Sequence, residues 1–198
     1  MKVVTYRVAV AASGRGSNLV ALCDALGTDG SATVVLVIAD RPALALDRAR
    51  DRGIPTHLLA DYRDGAEWRR ILAASRCDAL VLAGYLRLVP ADVVAAMRGR
   101  IINVHPALLP KYGGPGMHGA RVHQAVIAAG DHESGATVHL VDEAYDRGPI
   151  LAQGRIAVPS NATAGSLAAA VLTVEHRLLP AAVRAAAHAG HPVPFEFT

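Results

Sequence analysis

Cysteine is scarce in this chain of 198 residues: Cys23 and Cys77 are the only two, far apart and without metal-ligand spacing. That excludes a disulfide-stapled secreted scaffold and points to a reducing, cytoplasmic setting. Aromatic residues make up 4%, and the formal charge of +3 comes from scattered arginines and lysines. Stacking platforms and a basic stripe for nucleic acid are therefore both missing, while a small positive balance suits an anionic small substrate. No run of about 18 uncharged apolar residues occurs, so no membrane span is expected. Internal repeats, low-complexity tracts and linkers are absent too. The opening run "MKVVTYRVAVAASGRGSN" carries Arg7 and Arg15 and no cleavage-site pattern, so it reads as the first strand of the fold, not as a leader. With 52% hydrophobic residues, the length suits a single domain over 1–198 with one sizeable core.

What is present is an alternation of short β-branched runs with helical stretches. Residues 6–13, 32–40, 55–60 and 78–85 read as strands, as does "RIINVHP". Helices are expected from near Asn18, over 42–53 with Gly53 as its stop, over 65–75 and over 90–99. This alternation predicts an open, mostly parallel twisted sheet with helices on both faces, a Rossmann-like α/β fold. After residue 130 the pattern changes. Residues 135–142 and 149–159 read as strands separated by a short loop, an antiparallel extension. The closing stretch reads as one long helix, or two bent or broken around Pro180. In such a fold ligands gather at the carboxyl ends of the parallel strands.

Three constellations fall there. The first is "SGRGSNL", residues 13–19. Gly14 and Gly16 permit a tight turn, Ser17 and Asn18 are suited to capping the next helix, and free N–H groups with the helix dipole suit a phosphate. An ordinary glycine turn has the same composition. No Gly-Lys-Ser/Thr follows, which excludes a Walker loop, and Leu19 stands where a dinucleotide fingerprint has its third glycine. Asp40, ending the second strand, is the one residue that keeps a nucleotide-binding module in play. The second constellation is "RIINVHPALLPKY", residues 100–112. Strand alternation puts Ile101, Asn103 and His105 on one face, and Pro106 ends the strand. An amide and an imidazole thus project together, either into a crevice or as a ladder end and a core histidine. The third is "VDEAYDRGPI", residues 141–150, where Asp142, Glu143 and Asp146 crowd a turn. Such acids are commonly solvated turn residues. If one turns inward to His105, its charge raises the imidazole pKa and keeps the ring cationic near neutral pH.

The remaining histidines give no metal pattern. His118 and His123 are five apart, poorly placed for one helix face, and His132 and His139 have no cysteine or second acid at ligand spacing. His139 alternates with Thr137 and Val141 and reads as a neighbour of the same crevice.

Taken together, "VAVAASGRGSNL", "LVLAGYLRLV", "RIINVHPALLPKY", "ATVHLVDEAYDRGPILAQ" and "VEHRLLP", in this order, resemble the folate-dependent formyltransferases. "SGRGSN" and "VEHRLLP" narrow the resemblance to the branch acting on glycinamide ribonucleotide. The resemblance implies a one-carbon transferase of purine biosynthesis, moving a formyl group from 10-formyltetrahydrofolate, with no metal, to the amine of phosphoribosylglycinamide. It implies a catalytic set of Asn103, His105 and Asp146. Gly16, Ser17 and Asn18 would hold the substrate phosphate and Glu175 the ribose hydroxyls. The folate would lie against Leu86, Arg87, Leu88, Val89, Asn103, Val141, Asp142 and Asp146. Small molecules are the implied partners, with no nucleic acid or membrane, and the chain a monomer or homodimer. Two places depart from the family pattern. Residues 113–123 are longer and richer in glycine, and the base near the folate glutamate tail has no certain counterpart, Arg63 being near. Other members of the superfamily hydrolyse formyltetrahydrofolate or formylate another amine; the hydrolase has an extra N-terminal domain and the tRNA-directed enzyme an extra C-terminal one, and 198 residues leave room for neither.

Overall fold

The computed structural model describes residues 5–198, apart from the Asp29 side chain; the first four residues of the opening run lie outside it. Seven strands form one sheet: β1 (Tyr6–Ala11), β2 (Ala32–Ala39), β3 (Thr56–Leu58), β4 (Ala79–Leu82), β5 (Ile101–His105), β6 (Glu133–Leu140) and β7 (Ile150–Ala157). Their order is β3-β2-β1-β4-β5-β6-β7. The first five run parallel, and β6 is antiparallel to both its neighbours. Continuous apolar runs such as "VAVA" and "ALVL" are buried on both faces, which parallel strands between helical layers require.

Helices α1 (Ser17–Asp29), α2 (Leu44–Arg50), α5 (Ala120–Ala129) and α6 (Ala164–Ala189) share one apolar cluster with Val8, Val10, Ile102 and Val104. Helices α3 (Gly65–Ser75) and α4 (Ala91–Ala96) pack on the other face with Ala9, Ala11 and Ile101. There Trp68 is wholly buried, meets the Tyr85 ring edge-on at 5.7 Å and donates its indole N–H to the Tyr62 carbonyl.

Several boundaries differ from the sequence expectation. The first strand stops at Ala11 and the fourth at Leu82, two residues paired with each other at the end of their shared ladder. The helix expected over 42–53 spans Leu44–Arg50 and closes through a turn at residues 51–53. The strand expected over 135–142 spans Glu133–Leu140, leaving Val141 and Asp142 in the following loop. Helix α5 was not anticipated at all.

Pro180 neither breaks α6 nor splits it. A mid-helix proline costs about 3 kcal/mol, but Leu178, Leu179 and Val183 around it are fully buried, and each buried side chain of this size returns about 1.5–3 kcal/mol. A Thr163–Ser166 capping box secures its start. By length and composition α6 is long and apolar enough to cross a bilayer, and half of its apolar window is buried inside the protein.

The chain winds from β1 outward to β3, then returns to β4 on the other side of β1. This reversal opens a crevice between the carboxyl ends of β1 and β4, the usual ligand position in open α/β sheets.

Candidate functional site

A cavity of about 790 Å³ opens there, lined by the loops after β1, β4 and β5, the β6–β7 loop, and one side each of α5 and α6. That size suits a drug-sized ligand.

The loop after β1 forms one wall. Gly16 begins α1 in a left-handed conformation (φ 73°), and no side chain caps the helix. Ser17 and Asn18, expected as caps, are instead the first two helical residues. The leading N–H groups are thereby left to solvent or a ligand, an arrangement that attracts anions. A Cβ on Gly16 would lie 2.8 Å from that of Ala45, at the start of α2. Gly16→Ala should therefore lose about 1–2 kcal/mol from the backbone conformation alone, and more from the overlap, measured by urea denaturation. Ser13 ties this loop to the next: its N–H donates to the Gly84 carbonyl and its hydroxyl accepts the Leu86 N–H, at 3.1 and 3.0 Å.

Asn18 is buried and donates its amide to Glu175 Oε2 at 2.6 Å, across from α1 to α6. Burial pushes the Glu175 carboxyl above its usual range, against the pull of that hydrogen bond. The Asn18 Oδ1 atom is buried without a partner among the described residues.

Asp40 takes no part. Its carboxylate receives Arg41 at 2.7 Å and Arg87 at 3.4 Å and does not line the cavity. Standing outside the cavity wall, it is not placed where a nucleotide-binding module in this crevice would use it.

The loop after β4 presents Leu86, Arg87, Leu88 and Val89 to the cavity. Leu86 and Leu88 are exposed, while Val89 is buried. These four residues continue into a second depression of about 430 Å³, shared with Tyr62, Arg63 and Tyr145. There the guanidinium groups of Arg63 and Arg87 stack on the Tyr62 ring, at 4.8 and 5.0 Å.

At the centre, β5 brings Asn103 and His105 to the cavity. Antiparallel β6 sets His139 directly opposite Asn103, so the two side chains share a face. The His139 Nδ1–H donates to the Leu140 carbonyl at 2.8 Å, which leaves Nε2 to accept from the Asn103 amide at 3.0 Å. Of the three acids after β6, Asp142 caps its own turn by accepting the Ala144 N–H, and Glu143 is exposed. Asp146 turns inward, in a left-handed conformation (φ 55°). Its Oδ2 accepts the Gly114 N–H at 2.9 Å and lies 3.6 Å from His105 Nδ1. Its Oδ1 lies 3.5 Å from both Asn103 Nδ2 and His139 Nε2. Burial pushes the Asp146 carboxyl up, but its polar neighbours, His105 and the Gly114 N–H among them, outweigh it and hold it below the usual range.

His105 is buried, and its Nε2 donates to the Tyr112 carbonyl at 2.8 Å. Asp146 pulls its pKa upward as expected, but burial is the larger influence and leaves the imidazole below its ordinary value. In the resting site the carboxylate does not by itself keep this ring cationic near neutral pH, contrary to the expectation above. A cation held at this cost is a strong acid, and negative charge placed beside it reverses the balance.

Val141 and Asp142 line the same cavity. So does His123 on α5, which the sequence suggested only as a poorly spaced metal ligand. It is buried, its Nδ1 lacks a partner among the described residues, and burial plus the nearby His105 hold its pKa down. The signal for it was the apolar pair Val122 and Val126 between Gly119 and Gly130, which marks a helix with His123 beside its buried stripe. Among the described residues no group of three His, Cys, Asp or Glu side chains is placed to hold a metal ion.

Set against known proteins, residues 6–183 match the formyl transferase family. The chain is 42% identical over 188 residues to the trifunctional purine biosynthetic protein adenosine-3 of Drosophila melanogaster, covering 89% of this chain and 14% of that protein. It is 40% identical over 182 residues to the chloroplastic phosphoribosylglycinamide formyltransferase of Arabidopsis thaliana, covering 87% of this chain and 62% of that one. The chain thus spans less than two thirds of either relative. The crystal structure of phosphoribosylglycinamide formyltransferase from Anaplasma phagocytophilum superposes with a TM-score of 0.86 at 34% identity, covering 93% of this chain and 88% of that chain. The family match runs almost end to end, and the chain belongs to the formyl transferase family.

Proposed function

We propose that this chain, as a single formyltransferase domain, transfers the formyl group of 10-formyltetrahydrofolate to the amino group of 5'-phosphoribosylglycinamide in de novo purine biosynthesis. The observation that carries the reading is the meeting of Asn103, His105 and Asp146 in the same cavity as an uncapped helix N-terminus and the buried Glu175. The first group suits acyl transfer, and the second suits a phosphorylated sugar.

The α1 N–H groups at Gly16, Ser17 and Asn18 receive the phosphate, and Glu175 accepts from the ribose hydroxyls. Leu86, Arg87, Leu88, Val89, Val141 and Asp142 border the folate ring, and Arg63 and Arg87 on Tyr62 face its anionic tail. When the substrate amine adds to the formyl carbon, the carbonyl oxygen gains negative charge. Asn103 stabilises it with the amide hydrogen it holds only loosely toward Asp146, at 3.5 Å. That charge also raises the proton affinity of His105. His105 takes the proton released by the attacking nitrogen, directly or through water, and returns it to the departing folate nitrogen. The carbon–nitrogen bond to folate breaks as the new amide forms, and the proton count closes. Asp146 stabilises the transient imidazolium. No covalent enzyme intermediate is needed. The setting is the cytoplasm, in keeping with two unpaired, half-buried cysteines.

The test is to incubate the purified chain with phosphoribosylglycinamide and 10-formyltetrahydrofolate and follow the deformylated folate. Release that depends on the amine supports the reading, and release without it marks a hydrolase. The dephosphorylated substrate should bind about tenfold more weakly or worse, the scale of a favourable helix-terminus interaction. Equal affinities would return "SGRGSN" to an ordinary turn.

A further inference from the structure

Three non-glycine residues among those described have a left-handed backbone: Arg76, Tyr112 and Asp146. Arg76 closes α3, a common place for it. The other two flank the two nitrogens of one ring. The Tyr112 carbonyl lies 2.8 Å from His105 Nε2, and the Asp146 carboxylate lies 3.6 Å from Nδ1. A tyrosine persists in this conformation only where its surroundings impose it.

Those surroundings are specific. The Tyr112 hydroxyl donates to Asp131 Oδ2 at 2.8 Å, and Lys111 neutralises the same carboxylate at 3.0 Å. Gly113 has no room for a side chain, since a Cβ would sit 2.5 Å from a Leu109 methyl and 3.1 Å from the Asp146 Cβ. The Gly114 N–H then holds Asp146 Oδ2. One short segment thus grips both His105 and its carboxylate, and its outer end is fastened nineteen residues downstream in sequence, at Asp131.

We propose that Tyr112 and Asp131 are positioning residues for His105: Asp131 anchors the Tyr112 hydroxyl, and through it the main-chain carbonyl that receives the His105 Nε2 proton. The proposal rests on the reading of His105 as the acid–base group. A carbonyl only accepts, so Nε2 keeps its hydrogen in both protonation states. The proton that moves during the reaction is therefore carried on Nδ1, on the Asp146 side. Asp131 does not line the cavity, so its influence on the reaction passes through Tyr112.

Tyr112→Phe and Asp131→Asn in the full chain test this, with ¹⁵N-histidine NMR of the His105 ring and kcat measured against pH. The titratable groups facing the ring are Asp146, His139 and His123, and all three remain in both variants. In the wild type the neutral ring should be protonated at Nε2. In both variants it should become a mixture of tautomers with its pKa shifted down, because a hydrogen bond favouring the cation is loosened. The kcat should fall about tenfold, the scale of a small misplacement, with KM for either substrate within about twofold. The double variant should be no worse than Tyr112→Phe, since both act through one link. Unchanged ring resonances and titration in both variants would overturn the proposal, whatever happens to turnover. Should the wild type lack formyl transfer while the ring responds as described, the functional reading falls and the positioning role stands.

Discussion

Asn103→Ala should lower turnover by about 100- to 1,000-fold with the fold intact, the usual loss when one donor to a developing oxyanion is removed. Asn103 is half-buried at the level where β5 pairs with both Leu82 and His139. Truncation removes an amide without opening a large cavity. Its partner His139 keeps the Leu140 carbonyl through Nδ1, so that ring stays oriented. The fall should appear in kcat and in kcat/KM equally, because the interaction forms only as charge develops. His105→Ala should give a loss of the same order, with the same unchanged circular dichroism. Near-normal turnover in either purified variant would remove that residue from the reaction.

Asp146→Asn should have the second-largest effect, and its direction follows from charge. Burial already pushes the His105 pKa down, and Asp146 is the main influence opposing it. With the carboxylate neutralised the cation is less stable, so the pKa falls further. The ring then stays neutral, and able to accept the amine's proton, down to lower pH, so the acid-side fall in kcat should lie at lower pH than in the wild type. At neutral pH the loss should be about 100-fold, at the lower end of what a general acid–base contribution supplies. The asparagine still has an oxygen to accept the Gly114 N–H, so folding should be little changed. A His105 titration that does not move, followed by NMR, would exclude Asp146 from the relay.

The parallel half of the fold was legible because its strands are unbroken apolar runs, and residues 65–75 were bounded correctly because Asp64 caps α3 through the Ala66 and Glu67 N–H groups. Helix α5 escaped notice because glycine stands at its N-cap and no side chain marks its start. Strand ends were overshot because the apolar run continues past the last ladder pair, as in Ala83 after Leu82, and a single strand's composition does not record where pairing stops. Asn103 and His105 stood out through period-two alternation and the proline after them. Asp146 did not separate from Asp142 and Glu143 by spacing, since a left-handed residue is what turns it inward. The pairing of Asn103 with His139 needed the register of β6. The Tyr112 carbonyl and Gly114 N–H were illegible in principle: every residue has such groups, and only the folded chain aims them.

The link that Ser13 makes between the β1 and β4 loops carries a last consequence. Both hydrogen bonds are formed before anything binds, so the ordering of those loops belongs to the entropy of folding, not to that of association. A ligand arriving at one finds the other already in register, and more of its contact energy survives as affinity.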